Sequence, residues 1–336
     1  MSKIVVTGGC GYIGSHTIVD LIQNGYEVVC IDNLVRGKRS QLDCIAVITG
    51  VDVPFYEVDM CDEVALSKAF DAIGAIGGVI HFAALKSVPE SVEKPEWYLN
   101  NNMGALQNLL QQMQLRQINH LVFSSSCAVY GSPVKLPVTE DCPFADQVSP
   151  YALSKQKGEL LVQEQMLKNQ NLRCSILRYF NPIGAHPSGK MGENPYEKTT
   201  NLLPLILKVA KQEIPFLTVN GNDYPTPDGT AIRDYVHVCD IAHAHVLAFK
   251  ALSDSTKPQL QTYNLGSEQG YSVLEMIHAF EACNGRKVPY SIHKRRVGDP
   301  AAIYADISKA KKELNWLPIN DLASMLGSAW DWARKK

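Results

Sequence analysis

A tyrosine and a lysine stand four positions apart in the segment YALSK, at Tyr151 and Lys155. On a helix this spacing places both side chains on one face. An ammonium beside a phenol favours the phenolate, so the pair could act as a base although a free tyrosine has a pKa of about 10. Many surface helices carry the same spacing by chance. Here the pair follows a serine cluster, residues 124–126, that ends a predicted strand, where parallel sheets bind ligands.

Glycines recur at every third position, Gly8, Gly11 and Gly14, between a predicted strand and a predicted helix. Without a Cβ, this turn lets a pyrophosphate approach the partly positive helix N-terminus, although a tight turn without a ligand would also use glycines. The second predicted strand ends in Asp32, which suits the adenosine ribose hydroxyls and repels a 2′-phosphate, so NAD is favoured over NADP. Asp59, after the third predicted strand, either reaches the adenine or caps the next helix.

The elements that position these groups alternate between short β-branched apolar runs and helical patterns, which is typical of βαβ units. Strands are predicted at 4–7, 27–31, 54–58, 79–82, 120–124 and 174–179, and helices at 13–24, 63–72, 101–114 and 150–168. This order predicts an α/β fold with a Rossmann-type, doubly wound parallel sheet of about six strands.

Loops rich in Gly, Pro and Asn interrupt this alternation from residue 181 onward. We therefore expect residues 1–180 to form an NAD-binding Rossmann domain, which residues 232–266 rejoin. Residues 181–231 and 267–336 are expected to form a smaller C-terminal α/β lobe that binds the substrate. The regular elements predicted beyond residue 181 are strands 234–238 and 262–265 and helices 240–252, 273–283 and 321–333.

Composition excludes several classes of protein. Of 336 residues, 46% are hydrophobic and 20% charged, enough for a large core and too apolar for a disordered chain. The formal net charge of -2 predicts no nucleic-acid partner. Nine cysteines without a C-x-x-C pair predict neither a disulfide framework nor a metal site, and fit the reducing cytoplasm. No stretch approaches the ~20 apolar residues of a membrane span, so no membrane partner is expected.

Several motifs together resemble the extended short-chain dehydrogenases/reductases that act on nucleotide sugars. The shared motifs are TGGCGYIG from Thr7, Asp32-Asn33, HFAALK from His81, SSSCAVYG from Ser124, YALSK from Tyr151 and RYFN from Arg178. The resemblance covers nearly the whole chain. The later motifs GNDYPTPDGTAIRDYVHV, from Gly221, and RRVGD, from Arg295, resemble the members that epimerise UDP-hexoses at C4.

This resemblance implies roles for individual residues. Tyr151 would be the acid/base, Lys155 would bind the nicotinamide ribose and lower the tyrosine pKa, and Ser126 would hydrogen-bond the reacting sugar oxygen. The implied NAD contacts are Gly8, Gly11, Tyr12, Ile13, Gly14, Asp32, Asn33, Asp59, Phe82, Ala83, Lys86, Asn101, Ser124, Tyr151, Lys155 and Tyr179. The implied UDP-sugar contacts are Ser126, Tyr151, Asn181, Asn201, Leu202, Arg233, Arg296, Asp299 and Ile303. Independently of the resemblance, two arginines suit a diphosphate, which takes bidentate guanidinium partners.

Two positions bear on substrate recognition. Asn220 stands where the family commonly carries an aromatic or apolar residue near the uracil, which puts that contact in doubt. Ile303 occupies the position that the resemblance places near C2 of the hexose, and its intermediate size predicts some turnover of UDP-N-acetylhexosamines. A plain core role for Ile303 is an equal alternative.

The implied activity is NAD-dependent epimerisation at C4, which interconverts UDP-glucose and UDP-galactose through a 4-keto intermediate in a homodimer. Dehydratases of the group carry an Asp-Glu pair where this chain has Cys127 and Ala128, so elimination of water is disfavoured. A UDP-sugar dehydrogenase or reductase, or a dehydratase of the same family, is the alternative. A regulatory NAD sensor should lack the Tyr/Lys pair or the arginines, and this chain has both.

Overall fold

The computed structural model describes residues 3–146, 148–194, 199–296 and 298–336. Val297 of the RRVGD motif lies outside the described residues. The strands are β1 (Lys3–Thr7), β2 (Val28–Asp32), β3 (Phe55–Glu57), β4 (Ile76–His81), β5 (His120–Ser126), β6 (Arg173–Tyr179), β7 (Asn181–Ile183), β8 (Leu217–Asn220), β9 (Ile232–His237), β10 (Gln259–Leu265), β11 (Gly270–Ser272), β12 (Tyr290–His293) and β13 (Ala302–Ile303). The helices are α1 (Tyr12–Gln23), α2 (Ser40–Thr49), α3 (Glu63–Ile73), α4 (Val88–Glu93), α5 (Pro95–Leu115), α6 (Pro150–Lys168), α7 (Leu202–Ala210), α8 (Val238–Asp254), α9 (Val273–Asn284), α10 (Ser308–Leu314) and α11 (Leu322–Ala333).

The main sheet within these ranges has seven strands in the order β10-β6-β5-β4-β1-β2-β3. Strand β1 pairs in parallel with β2 and β4, β2 with β3, and β4 with β5. The strand order reverses between β1 and β4, which is the topological switch point of a doubly wound Rossmann-type sheet. The predicted fold class is therefore confirmed, and β10, predicted over 262–265, joins the edge as a seventh strand.

Capping residues account for where the helices begin. Helix α6 has its predicted bounds because Ser149 caps it, accepting a hydrogen bond from the Ala152 nitrogen at 3.2 Å, and Pro150 occupies its first turn. The start of helix α3 excludes one of the two roles predicted for Asp59, that of its N-cap. Its cap is Asp62, whose Oδ1 accepts from the Ala65 nitrogen at 2.9 Å, so Asp59 does not cap it.

The chain forms two compact units, each with its own core. The first consists of Met1–Val129, Asp146–Arg178 and Ala242–Tyr263, and the second of Tyr130–Ala145, Tyr179–Ile241 and Asn264–Lys336. Side chains from one face of the main sheet and from the helices packed on it fill a core of the first unit, among them Val5, Ile31, Val79, Leu109 and Phe123. Helices α7, α9 and α11 supply the second core, which includes Leu203, Ile206, Met276, Phe280 and Leu326.

Strand β9 differs from the sequence expectation that it rejoins the main sheet. It lies in a smaller sheet of the second unit, antiparallel to β11 and parallel to β13 and β7. Central strands of a parallel sheet are almost continuously apolar. Strand β9 instead carries Arg233 and Asp234, which pair with Asp299 and Ser267 in the second unit.

Among the described residues, we find no helix with the length and apolar character that crossing a membrane requires.

Candidate active site

The glycine-rich segment makes a tight turn between β1 and α1. The Gly11 nitrogen donates to the Gly8 oxygen at 3.1 Å, and α1 begins at Tyr12, after Gly11 as its N-cap. Gly8 has a φ of 69° and packs against the loop after β4, where an added Cβ would lie 2.7 Å from the Ala83 nitrogen. Only glycine fits there without strain. The turn thus leaves backbone, without side chains, at the N-terminus of α1.

Asp32 lies at the carboxyl end of β2 with a fixed and buried carboxylate. Its Oδ2 accepts from the Cys10 nitrogen at 3.0 Å, and its Oδ1 accepts from the Leu34 nitrogen at 2.8 Å. Burial raises the pKa of Asp32, and these two hydrogen bonds oppose that rise. Gly37 packs so closely that a Cβ would lie 2.9 Å from Oδ2. The next residue, Asn33, accepts from the Val35 nitrogen at 3.1 Å.

The other predicted cofactor residues of the first unit lie mostly in loops after strands or on α5. The Phe82 nitrogen donates to the Thr7 oxygen at 3.0 Å, and its ring lies 4.5 Å from that of His245. The Lys86 Nζ lies 6.0 Å from the centre of the Tyr12 ring. Asp59 accepts a hydrogen bond from the Cys61 nitrogen at 2.9 Å, and Asn101 on α5 donates to Asn102 at 3.1 Å.

The predicted acid/base cluster is buried in the first unit. Tyr151 and Lys155 lie on α6, and Ser126 ends β5. The Lys155 Nζ donates to the Ser124 carbonyl oxygen at 2.7 Å, which ties the helix to the carboxyl end of that strand. Ser124 in turn pairs its Oγ with the His245 Nε2 at 3.0 Å. The structure therefore brings these predicted side chains together.

Burial dominates the ionisation of this cluster. It raises the pKa of Tyr151 to about 12, while a side-chain hydrogen bond with Ser126 acts in the opposite direction. It lowers the pKa of Lys155 to about 8, and the charge of Glu159 opposes this change. The pKa of Tyr151 is therefore raised by desolvation, in contrast to the predicted lowering by Lys155, and the opposing effect comes from Ser126.

The remaining predicted residues belong to the second unit, where Arg233 of β9 forms an ion pair with Asp299. Its Nη1 also donates to the Ile232 oxygen at 2.7 Å. Ile303 of β13 is buried and lies in register with Arg233. Asn181 of β7 donates to the Asp234 oxygen at 3.0 Å. Asn201 is the N-cap of α7 and Leu202 is its first residue, while Tyr179 ends β6.

Asn220 ends β8 and contacts one of the predicted diphosphate arginines. With its amide oxygen directed towards Arg296, it accepts from Nε and Nη2, both at 3.2 Å. Where the family commonly carries an aromatic or apolar residue, this chain thus has a hydrogen-bond acceptor in contact with the Arg296 guanidinium.

Sequence reasoning missed two buried residues beside the cluster, Glu159 and His245. Glu159 lies one helical turn after Lys155 and two after Tyr151, so extending the four-residue spacing would have found it. His245 has no such signal, because α8 carries it into the first unit from far along the chain.

Comparison with known proteins places this geometry in a family. Residues 4–266 match the NAD dependent epimerase/dehydratase family. The chain belongs to this family. It is 46% identical over 332 residues to the UDP-glucose 4-epimerase of Neisseria meningitidis serogroup A, covering 99% of this chain and 97% of that protein. It is 45% identical over 329 residues to the UDP-glucose 4-epimerase of Bacillus subtilis, covering 98% and 96%.

Solved structures of UDP-glucose 4-epimerases share the whole fold. The enzyme from Stenotrophomonas maltophila, with bound NAD and formylated UDP-arabinopyranose, has a TM-score of 0.96 at 43% identity and covers 100% of this chain and 98% of that one. The Bifidobacterium longum enzyme, in complex with NAD+ and UDP, has a TM-score of 0.95 at 41% identity and covers 100% and 99%.

Proposed function

We propose that this protein is an NAD-dependent epimerase that inverts C4 of UDP-hexoses and interconverts UDP-glucose and UDP-galactose. The observation that carries the proposal is the buried cluster of Tyr151, Lys155 and Ser126 at the carboxyl end of β5. Full-length similarity to UDP-glucose 4-epimerases supports the same reaction. The proposal includes a homodimer, from the family resemblance, and a cytoplasmic location, from the cysteine content.

The first unit has the features that an NAD site needs. The close approach at Gly8 leaves bare backbone at the start of α1, where a pyrophosphate binds favourably. The fixed carboxylate of Asp32 suits the adenosine ribose. The chemistry that NAD supplies when bound is reversible acceptance of a hydride by a positively charged nicotinamide ring. The residues proposed to hold it are Gly8, Gly11, Tyr12, Ile13, Gly14, Asp32, Asn33, Asp59, Phe82, Ala83, Lys86, Asn101, Ser124, Tyr151 and Lys155 of the first unit, together with Tyr179.

Tyr151 moves the proton at the C4 hydroxyl of the sugar. Its buried phenol, with a pKa of about 12, is protonated at neutral pH, so a base role needs positive charge nearby. The Lys155 ammonium, one turn away on α6, supplies such charge. Ser126 hydrogen-bonds the same sugar oxygen and orients it towards the phenol.

The second unit holds the UDP part of the substrate. Arg233 and Arg296 bind the diphosphate, and Asn181, Asn201, Leu202 and Asp299 bind the remainder of the nucleotide sugar. These contacts are remote from C4. They can therefore anchor the substrate while the 4-keto hexose rotates between the two hydride transfers. A dehydratase is disfavoured because neither Cys127 nor Ala128 carries the carboxylate needed to eliminate water.

The test is turnover without added cofactor. Purified protein incubated with UDP-glucose should produce UDP-galactose, followed by proton NMR, with no growth of NADH absorbance. Acid denaturation of the same protein should release NAD. Accumulation of NADH with an oxidised sugar would indicate a dehydrogenase, and a dehydrated 4-keto sugar would indicate a dehydratase. Either product would overturn the proposal.

A further inference from the structure

Three charged side chains are buried near Tyr151, the proposed acid/base. Glu159 is 0% exposed, Lys155 5% and Arg178 6%. Such residues are almost never fully buried unless they are paired. Glu159 follows Lys155 by one helical turn and Tyr151 by two, so α6 carries all three on one face.

The Glu159 carboxylate is held by two neighbouring strands. From β6, the Arg178 Nη2 donates to Oε2 at 2.6 Å and Nε donates to Oε1 at 3.0 Å, which makes the pair bidentate. From β5, the Ser125 Oγ donates to Oε1 at 2.5 Å. The carboxylate is therefore fixed in position, one helical turn after Lys155.

Lys155 is confined from several sides. Its Nζ donates to the Ser124 oxygen and lies 5.2 Å from the centre of the Phe123 ring. Burial, together with the nearby charge of Lys155, lowers the pKa of His81 to about 3, so this histidine is neutral. The titratable groups that surround the lysine and its carboxylate are Tyr151, Glu159, Arg178, His81, His245 and Cys174.

Within the described residues, Glu159 is the one anion of this group. Without its charge, two buried cations would face each other, and burial would favour a neutral lysine. A neutral lysine cannot stabilise a phenolate on Tyr151.

We propose that Glu159 is a positioning residue whose buried carboxylate, clamped by Arg178 and Ser125, keeps the Lys155 ammonium charged one helical turn from Tyr151. The inference rests on the proposed roles of Tyr151 and Lys155. Its test reads the charge of Lys155 directly, so failure of the proposed reaction would leave that measurement intact.

A purely structural ion pair would have a different signature. Replacing both partners of a buried pair with apolar residues is often neutral or stabilising. If Glu159 and Arg178 only support packing, Lys155 should titrate identically once a replacement folds. If Glu159 keeps the lysine charged, the titration should change even in a well-folded variant.

The experiment follows the 13Cε NMR signal of Lys155 with pH in lysine-labelled protein, assigned with Lys155→Arg. We expect a charged Lys155 at pH 7 in the unmodified protein. In Glu159→Gln the midpoint should fall by about one pH unit or more, the scale of losing a nearby opposite charge. The alkaline limb of kcat should move the same way, with KM little changed. Glu164→Gln, the same change at an exposed position of α6, should shift neither.

The double variant Glu159→Met/Arg178→Met keeps the test valid if Glu159→Gln does not fold. It removes the pair without leaving an uncompensated arginine, and we expect the Lys155 midpoint to fall, by less than in Glu159→Gln because the repelling charge of Arg178 is removed as well. A midpoint equal to that of the unmodified protein in either folded variant would overturn the proposal. A neutral Lys155 at pH 7 in the unmodified protein would overturn it without any variant.

Discussion

The two units use cations in opposite ways. In the first unit Lys155 and Arg178 are buried, and both are tied to backbone or carboxylate partners. In the second unit the ion pair of Arg233 with Asp299 leaves the side chains 16% and 28% exposed. The first arrangement alters the ionisation of its neighbours because desolvation is strong. The second leaves a guanidinium within reach of solvent and ligand.

The difference in burial distinguishes the residues proposed to act in the reaction from those proposed to bind the substrate. Breaking a buried pair strands a charge at a cost of several kcal/mol, about 3–5 in measured cases. The pair of Arg233 and Asp299 keeps some contact with solvent, so we expect its arginine to exchange a carboxylate for a phosphate at a lower cost. Substitutions in the first unit should therefore act on kcat, and those in the second on KM.

The largest effect is expected for Tyr151→Phe. Loss of the phenol removes the proton acceptor, and turnover should fall by ~10²–10⁴, the usual worth of general acid–base catalysis. Binding of UDP, measured by calorimetry, should persist. Tyr290→Phe, the same change at an exposed tyrosine, should be silent. A Tyr151→Phe protein that keeps more than about half its turnover would remove this tyrosine from the mechanism.

An intermediate effect is expected for Arg233→Met. Hydrogen bonds to charged groups contribute about 1.5–3 kcal/mol, so the Kd for UDP and the KM for UDP-glucose should rise ~10- to 100-fold with a small change in kcat. Arg295→Met is the matched control, because Arg295 pairs with Asp223 at 2.6 Å and lies outside the predicted contacts. Equal increases in Kd and KM in the two variants would show that Arg233 has no special role in binding the diphosphate.

The smallest effect is expected for Ile303→Tyr, which tests whether this buried residue lines the sugar site. A change of a few heavy atoms in a pocket discriminates by ~10–200-fold, and we expect about tenfold against UDP-N-acetylglucosamine relative to UDP-glucose. Ile303→Leu, close in volume, should leave the ratio unchanged. Parallel loss of both activities would assign Ile303 to the core alone.

The sequence anticipated elements whose signals are local. Helix α6 could be bounded because Ser149 and Pro150 mark its start, and the turn at Gly8 follows from glycine spacing. The prediction that strand β9 rejoins the main sheet is wrong, because its polar residues find partners about 30 and 70 positions away, at Ser267 and Asp299. The Glu159 pair depends in the same way on an arginine from another strand. Periodicity records which face a residue occupies and carries no information about the partner it meets there.

The division of the first unit into three chain segments has a consequence for synthesis on the ribosome. Strand β10 completes the main sheet only after the long stretch Tyr179–Ile241 has emerged. Until then β6 is an exposed edge with unpaired backbone groups, a template for aggregation. N-terminal segments fold first during translation, so the nascent chain must carry an unfinished sheet through this interval. Chains terminated soon after residue 178 should therefore be lost to aggregation or proteolysis, even though they already contain Tyr151 and Lys155.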